Sequence, residues 1–212
     1  MSSFSHTSRA CRACHRHATQ TTPRRAWSAC WATAWLLVLT LCGSPAVAQS
    51  QDQRAVINRE YAIKAAFLYH FSTYIQWPED AGAAADRPFV IGVYRENPFG
   101  SALAKIAESK TVEGRPIDIR RIVTSEQARQ CQILFVPGFV PQKSQDAVLR
   151  ATRDSHVLVV GESNDFVQQG GDAQFFVEGN RVRFAFSAAT AKREDLKVSS
   201  KLLALAEIIP SH

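Results

Sequence analysis

Three short, continuous apolar runs constrain this chain most: Phe89-Val90-Ile91-Gly92-Val93-Tyr94, Ile133-Leu134-Phe135-Val136 and Val157-Leu158-Val159-Val160. A strand with one wet face alternates apolar and polar residues, whereas a strand covered on both faces is apolar throughout. Helical patterns separate the runs, over Ser101 to about Ser109 and Gln142–Thr152. A second strand is read at Ile117 and Ile119, which alternate with Asp118 and Arg120, and a short helix at Thr124–Arg129. Strand–helix alternation with doubly covered strands predicts an α/β fold, a mostly parallel sheet sandwiched by helices.

The pattern changes after Gly161. A helical turn at Asp165–Gln169 closes on Gly170-Gly171. Gln174–Val177 and Arg181–Phe186 flank Gly179-Asn180, the signature of an antiparallel hairpin near the C-terminus, expected at one edge of the sheet. In its second arm Val182, Phe184 and Phe186 face one way and Arg181 and Arg183 the other. A short helix at Ser187–Lys192 and a final helix carrying Leu202, Leu203, Leu205 and Ala206, capped by Ser199 or Ser200, complete the chain. Ahead of the first strand, roughly Arg54–Gln76 reads as a long helix. Ile63, Phe67, Phe71 and Ile75 recur every four residues, and Trp77-Pro78 ends the helix.

The first 48 residues read as a secretory signal. Arg24 and Arg25 precede an uncharged stretch, Ala26–Leu41, and Ala46-Val47-Ala48 forms an A-x-A site with cleavage after Ala48. The apolar stretch is shorter than the roughly 20 residues a membrane-spanning helix needs. Three motifs in this segment are discounted. Cys11-Arg12-Ala13-Cys14-His15 matches haem attachment but precedes the apolar stretch. Arg24-Arg25 follows a proline and lacks the lysine of twin-arginine export. Leu41 is too large to precede a lipidated Cys42. The expected organisation is a cleaved signal over 1–48, a flexible lead-in over 49–57 and one α/β domain over 58–209, localised to the periplasm and not membrane-spanning after cleavage.

Charge and cysteine content narrow the function. Of 25 Lys and Arg, five lie in residues 1–48, which hold no Asp or Glu. The remainder carries 20 basic against 19 acidic residues, so no basic stripe is left for nucleic acid. Cys131 is the one cysteine after Ala48, which excludes an intramolecular disulfide in the mature chain. It reads as a structural thiol. His70, His156 and His212 are scattered, so neither a metal nor another cofactor is expected, and His70 reads as a packed or hydrogen-bonded side chain. No G-x-S-x-G elbow, P-loop or G-x-G-x-x-G is present, and the chain is read as not an enzyme.

Two places could bind. Glu96-Asn97-Pro98-Phe99-Gly100-Ser101 joins a parallel strand to a helix, where backbone N–H groups attract anions, though an ordinary turn explains it too. Tyr69, Tyr74 and Trp77 at the end of the first helix suit either a recognition surface or the core.

Tyr61-Ala62-Ile63-Lys64-Ala65-Ala66-Phe67-Leu68-Tyr69-His70-Phe71 with Trp77-Pro78 resembles the YfiR family of small periplasmic proteins. The likeness continues through Asn97-Pro98-Phe99-Gly100, Cys131-Gln132-Ile133-Leu134-Phe135, Gly170-Gly171, Arg183-Phe184 and Val198-Ser199-Ser200-Lys201-Leu202-Leu203, covering about 58–209. The resemblance implies a regulator that holds an inner-membrane diguanylate cyclase inactive through its periplasmic sensor domain. Release raises cyclic di-GMP and favours biofilm growth. Only Cys131 matches a family cysteine, so redox control through disulfides is not implied here. The expected partner is an inner-membrane signalling protein, and a homodimer is compatible with the sequence. The candidate partner-binding residues are Tyr69, Tyr74, Trp77 and Arg183, the last exposed or paired with a carboxylate such as Glu178. The alternative is a periplasmic small-molecule binding module with its pocket at the carboxyl ends of the parallel strands.

Overall fold

A computed structural model describes residues 46–78 and 87–209, with side chains from Gln53 onward. Most of the signal segment, with its three discounted motifs, lies outside the described residues, as does His212.

The chain enters through a long helix, α1 (Ala46–Tyr74). It begins before the expected Arg54, so the backbone of 49–57 is helical. Its inward face is built from Ala65, Leu68 and Phe71, all fully buried. The four-residue spacing misplaces one member of the expected stripe, because it drifts about 40° per step against the 3.6-residue turn. Ile63 is accordingly 38% exposed, while Phe71 is buried. The helix ends two residues sooner than expected. Ile75-Gln76 forms a strand, β1, paired antiparallel with β9 (Lys197–Val198).

Among the described residues the main sheet has eight strands. In chain order, after β1, come β2 (Phe89–Tyr94), α2 (Ala102–Ser109), β3 (Thr111–Val112) and β4 (Arg115–Ile122). A 3-10 turn at Glu126–Gln130 leads to β5 (Ile133–Val136), α3 (Gln142–Ala151) and β6 (Leu158–Gly161). There follow β7 (Ala173–Glu178), β8 (Arg181–Phe186), α4 (Ala188–Arg193), β9, α5 (Ser200–Leu203) and β10 (Glu207–Ile208). Their order across the sheet is β10-β8-β7-β6-β5-β2-β4-β3. The five strands β4, β2, β5, β6 and β7 are mutually parallel. Numbered by their own succession they run 2-1-3-4-5, one of the two common doubly wound arrangements.

The apolar runs are continuous because each strand feeds two cores. Phe89, Ile91, Val93, Ile133, Phe135, Leu158 and Val160 join one cluster with α1 and α2. Val90, Tyr94, Leu134, Val136, Val157 and Val159 join the other beneath α3. Alternate side chains of one strand point to opposite faces, so both sets must be apolar. The hairpin obeys the other rule. Phe184 and Phe186 are buried in the α1 core, while Arg181 and Arg183 are exposed. Gly179 and Asn180 both have positive φ, 52° and 67°, the requirement of a two-residue type I′ turn.

The hairpin departs from expectation in its place. β7 continues the parallel sheet and β8 pairs antiparallel to it, but β10 adds parallel to β8 and forms the edge. The final helix is shorter than expected. Ser199 caps it, accepting from the Lys201 N–H, and it closes at Leu203, before Leu205 and Ala206.

Candidate functional site

The amino edge of the sheet carries Tyr74 and Trp77 at the end of α1, while Phe139, 58% exposed, lies past the carboxyl end of β5. α1 runs antiparallel to the parallel strands, which brings its C-terminal end to the start of β2. There Trp77 meets Phe89 edge-on, with ring centroids 5.1 Å apart. Trp77 is half-buried, and its indole N–H finds no hydrogen-bond partner among the described residues. It lines a cleft of about 780 Å³ with Pro78, Glu113, Lys192, Leu196 and Lys197. Tyr74 is 37% exposed and stacks on His70, with centroids 6.1 Å apart. Its carbonyl accepts from the Ser199 N–H at 2.9 Å, which ties α1 to the start of α5. Tyr69 is half-buried and packs against the α1 core. His70 is exposed, packed only against Tyr69 and Tyr74 among ring neighbours.

Arg183 is not brought to this cluster. It sits on the sheet face away from α1, because its neighbour Phe184 contacts Phe67 and Phe71 of that helix. Its guanidinium pairs with Glu178 across the hairpin. The candidate residues therefore form two surfaces: Tyr69, Tyr74 and Trp77 at the end of α1, and Arg183 on the outer face of β8.

At the carboxyl ends of the strands the order reverses between β2 and β5, the usual place for a ligand in such a sheet. Here α1 fills part of that edge with a polar network that sequence reading missed. Lys64 is 4% exposed and bridges Glu60 one turn back and Glu162 just after β6, the latter at 2.7 Å. The second oxygen of Glu162 accepts from the Tyr61 hydroxyl at 3.2 Å and the Gly138 N–H at 3.0 Å. Burial, then the charges of Glu162 and Glu60, push the Tyr61 phenol well above its ordinary range. The turn at Asn97 is an Asx turn, its side chain accepting from the Phe99 N–H at 2.9 Å. A lysine inside the apolar surface of α1 was the available signal for this network.

Three further buried groups mark the other loops. Glu194, 3% exposed, accepts from the N–H groups of Asp154, Ser155 and His156 at 2.9 to 3.2 Å. Asp154 and His156 reach this arrangement with φ of 55° and 59°. Asp172 is 2% exposed; its Oδ2 accepts from the Val159 N–H at 2.8 Å, and Oδ1 has no partner among the described residues. Burial raises its carboxyl to about 7. Cys131 is buried against Gly92, where a Cβ would stand 2.5 Å from its sulfur, and burial pushes its thiol up to about 12. That is the environment of a packed thiol rather than a nucleophile. Among the described residues, no three His, Cys, Asp or Glu side chains are grouped to hold a metal ion.

The YfiR/HmsC-like family model matches residues 61–207, from Tyr61 of the Lys64 network to β10. This chain belongs to the YfiR/HmsC-like family. A search of curated proteins finds no match. Among solved structures, a conserved domain protein from Vibrio cholerae O1 biovar El Tor aligns at 10% identity and a TM-score of 0.40, covering 56% of this chain and 54% of that one. The ABC domain from Streptococcus pneumonia, solved in complex with L-Trp, aligns at 10% identity and a TM-score of 0.41, covering 57% and 55%. The chain thus spans about half the length of these structures, and at these values neither likeness bears on function. In this YfiR/HmsC-like chain, among the described residues, no helix is long and apolar enough to cross a membrane.

Proposed function

We propose that this chain is a non-catalytic periplasmic regulator that restrains an inner-membrane signalling protein, of the diguanylate cyclase kind, by binding its periplasmic sensor domain. Membership of the YfiR/HmsC-like family over residues 61–207 carries this reading. Export by the Sec route supplies the compartment, with cleavage after Ala48, so the protein isolated from the periplasm begins at Gln49. Binding interfaces depend on a few large anchors that lose water. Tyr74 and Trp77, backed by Tyr69, offer such anchors where α1 meets β9. Arg183 offers a second, charged contact on the opposite face, with Glu178 holding it in place.

The test pairs folding with function. Trp77→Ala and Arg183→Ala are compared with the wild type for thermal stability, for recovery of the membrane partner in a pull-down, and for cellular cyclic di-GMP. Loss of an anchor costs about 2 kcal/mol, roughly thirtyfold in affinity. The expected outcome is a folded variant that recovers less partner and lets cyclic di-GMP rise. Two folded variants that bind and restrain as the wild type does would place the surface elsewhere. A Trp77→Ala chain that unfolds would assign Trp77 to the core.

A further inference from the structure

The second cleft of the amino edge lies on the other face of the sheet and differs in chemistry. It encloses about 550 Å³ between the start of β2, the 3-10 turn and the loop before β6. Among the described residues, the charged or chargeable nitrogen side chains that line it are Arg87, Arg120, Arg129 and His156, and no carboxylate is among them; Asp118 pairs with Arg120, and Asp195 stands 4.0 Å from His156 Nδ1. That segregation stands out because the chain beyond residue 48 is almost neutral, with 20 basic and 19 acidic residues. Asp118 offsets Arg120 from beside the cleft, and the guanidinium charges gathered in one concave site still favour an anion.

The lining side chains are also oriented. Arg120 is held through Nε by Asp118 at 2.7 Å, and Arg129 through Nε by the Ala151 carbonyl at 2.5 Å. His156 Nδ1 lies 2.9 Å from the Glu194 carbonyl oxygen, which fixes Nδ1–H as a donor there and turns Nε2 away from Glu194. Anchoring a guanidinium by Nε leaves its terminal N–H groups as a planar fork, the arrangement that receives phosphate and carboxylate oxygens in pairs. Gln132 supports the floor, its side-chain carbonyl accepting from the Val90 N–H at 2.7 Å.

We propose that this cleft binds an oxyanion ligand carrying two or more phosphate or carboxylate groups, with Arg120 and Arg129 as its principal contacts and Arg87 completing the cationic wall. The proposal does not rest on the regulatory reading, since the cleft shares none of Tyr69, Tyr74, Trp77 or Arg183.

Calorimetric titration of the purified protein with inorganic pyrophosphate, and with citrate, tests it. The same protein is sedimented with phosphatidylglycerol vesicles and with phosphatidylcholine vesicles, to separate a soluble anion from a lipid headgroup. Arg120→Gln and Arg129→Gln remove the two principal forks, and Lys105→Gln, an exposed change on α2, controls for net charge. The expected result is saturable binding of at least one probe, weakened about tenfold or more by each arginine substitution and unchanged by Lys105→Gln. Binding in the titrations identifies a soluble ligand, and arginine-dependent binding confined to phosphatidylglycerol vesicles identifies a headgroup. Absence of saturable binding in both arms overturns the proposal. So does binding that folded arginine variants retain, or that Lys105→Gln weakens equally.

Discussion

Asp172 gives the fold a pH dependence of known sign. The carboxyl is buried between β6 and the start of α4, where its backbone carbonyl accepts from the Ser187 N–H and its side chain from the Val159 N–H. Burial raises it from 3.8 to about 7, because the charged form has lost its water. In the unfolded chain it ionises near its ordinary value. Between the two values the unfolded state releases its proton and the native state keeps it, so stability falls as pH rises. The gap of about three units corresponds to about 4 kcal/mol, with about 3 kcal/mol of it falling between pH 5 and pH 8.

Asp172→Asn removes the titration and keeps a carbonyl oxygen for the Val159 N–H. Urea unfolding at pH 5 and pH 8 reads the difference. With a slope of about 2 kcal/mol per molar urea, the wild-type midpoint should fall by more than about 1 M relative to the variant. Carboxylates that do not interact with Asp172 contribute equally to both proteins and cancel. The variant should be the more stable protein at pH 8 and lose that advantage at pH 5. Parallel midpoints for the two proteins across this range would refute the reasoning, and would mean that Asp172 is hydrated or paired in solution.

Three further outcomes are expected. Glu162→Gln strips the buried Lys64 of one of its two carboxylates and should cost about 3 kcal/mol, measured by urea unfolding; a loss under 1 kcal/mol would show that Glu60 alone holds the lysine. Cys131 should resist iodoacetamide at pH 8 in the native protein and react on unfolding, since its thiol is pushed up to about 12; native labelling at the rate of a free thiol would contradict its burial. Gly92→Ala places a Cβ within 2.5 Å of the Cys131 sulfur and 2.8 Å of Ile122, so it should lower stability by about 1–3 kcal/mol, with part of the loss restored by Cys131→Ala; an unchanged melting temperature would show that this core yields.

The sequence by itself determined the layers. Apolar runs in β2, β5 and β6 had to be covered twice, and alternation in β8 marked a strand covered once. Gly179-Asn180 determined the hairpin turn, because two successive positive φ angles leave few alternatives. The turn also fixes the register, which sets Glu178 opposite Arg181 and Arg183 opposite Phe176; Arg183 reaches Glu178 on the diagonal of the same face. Tertiary structure alone decided the rest. The order of strands, the placing of β10 outside the hairpin and the pairing of β1 with β9 depend on contacts far apart in the chain. Local periodicity carries no information about such contacts. The separation of Arg183 from Trp77 follows from which face of the sheet α1 covers. The Lys64–Glu162 pair joins residues 98 positions apart, and the arginine cleft draws on β4 and on the approaches to β2, β5 and β6. Lys64 stands out in its own segment as a charge within an apolar surface, but Glu162 and the arginines of the cleft read there as solvated surface residues. Only the fold brings them together, because a buried or clustered charge is defined by the neighbours that exclude its water.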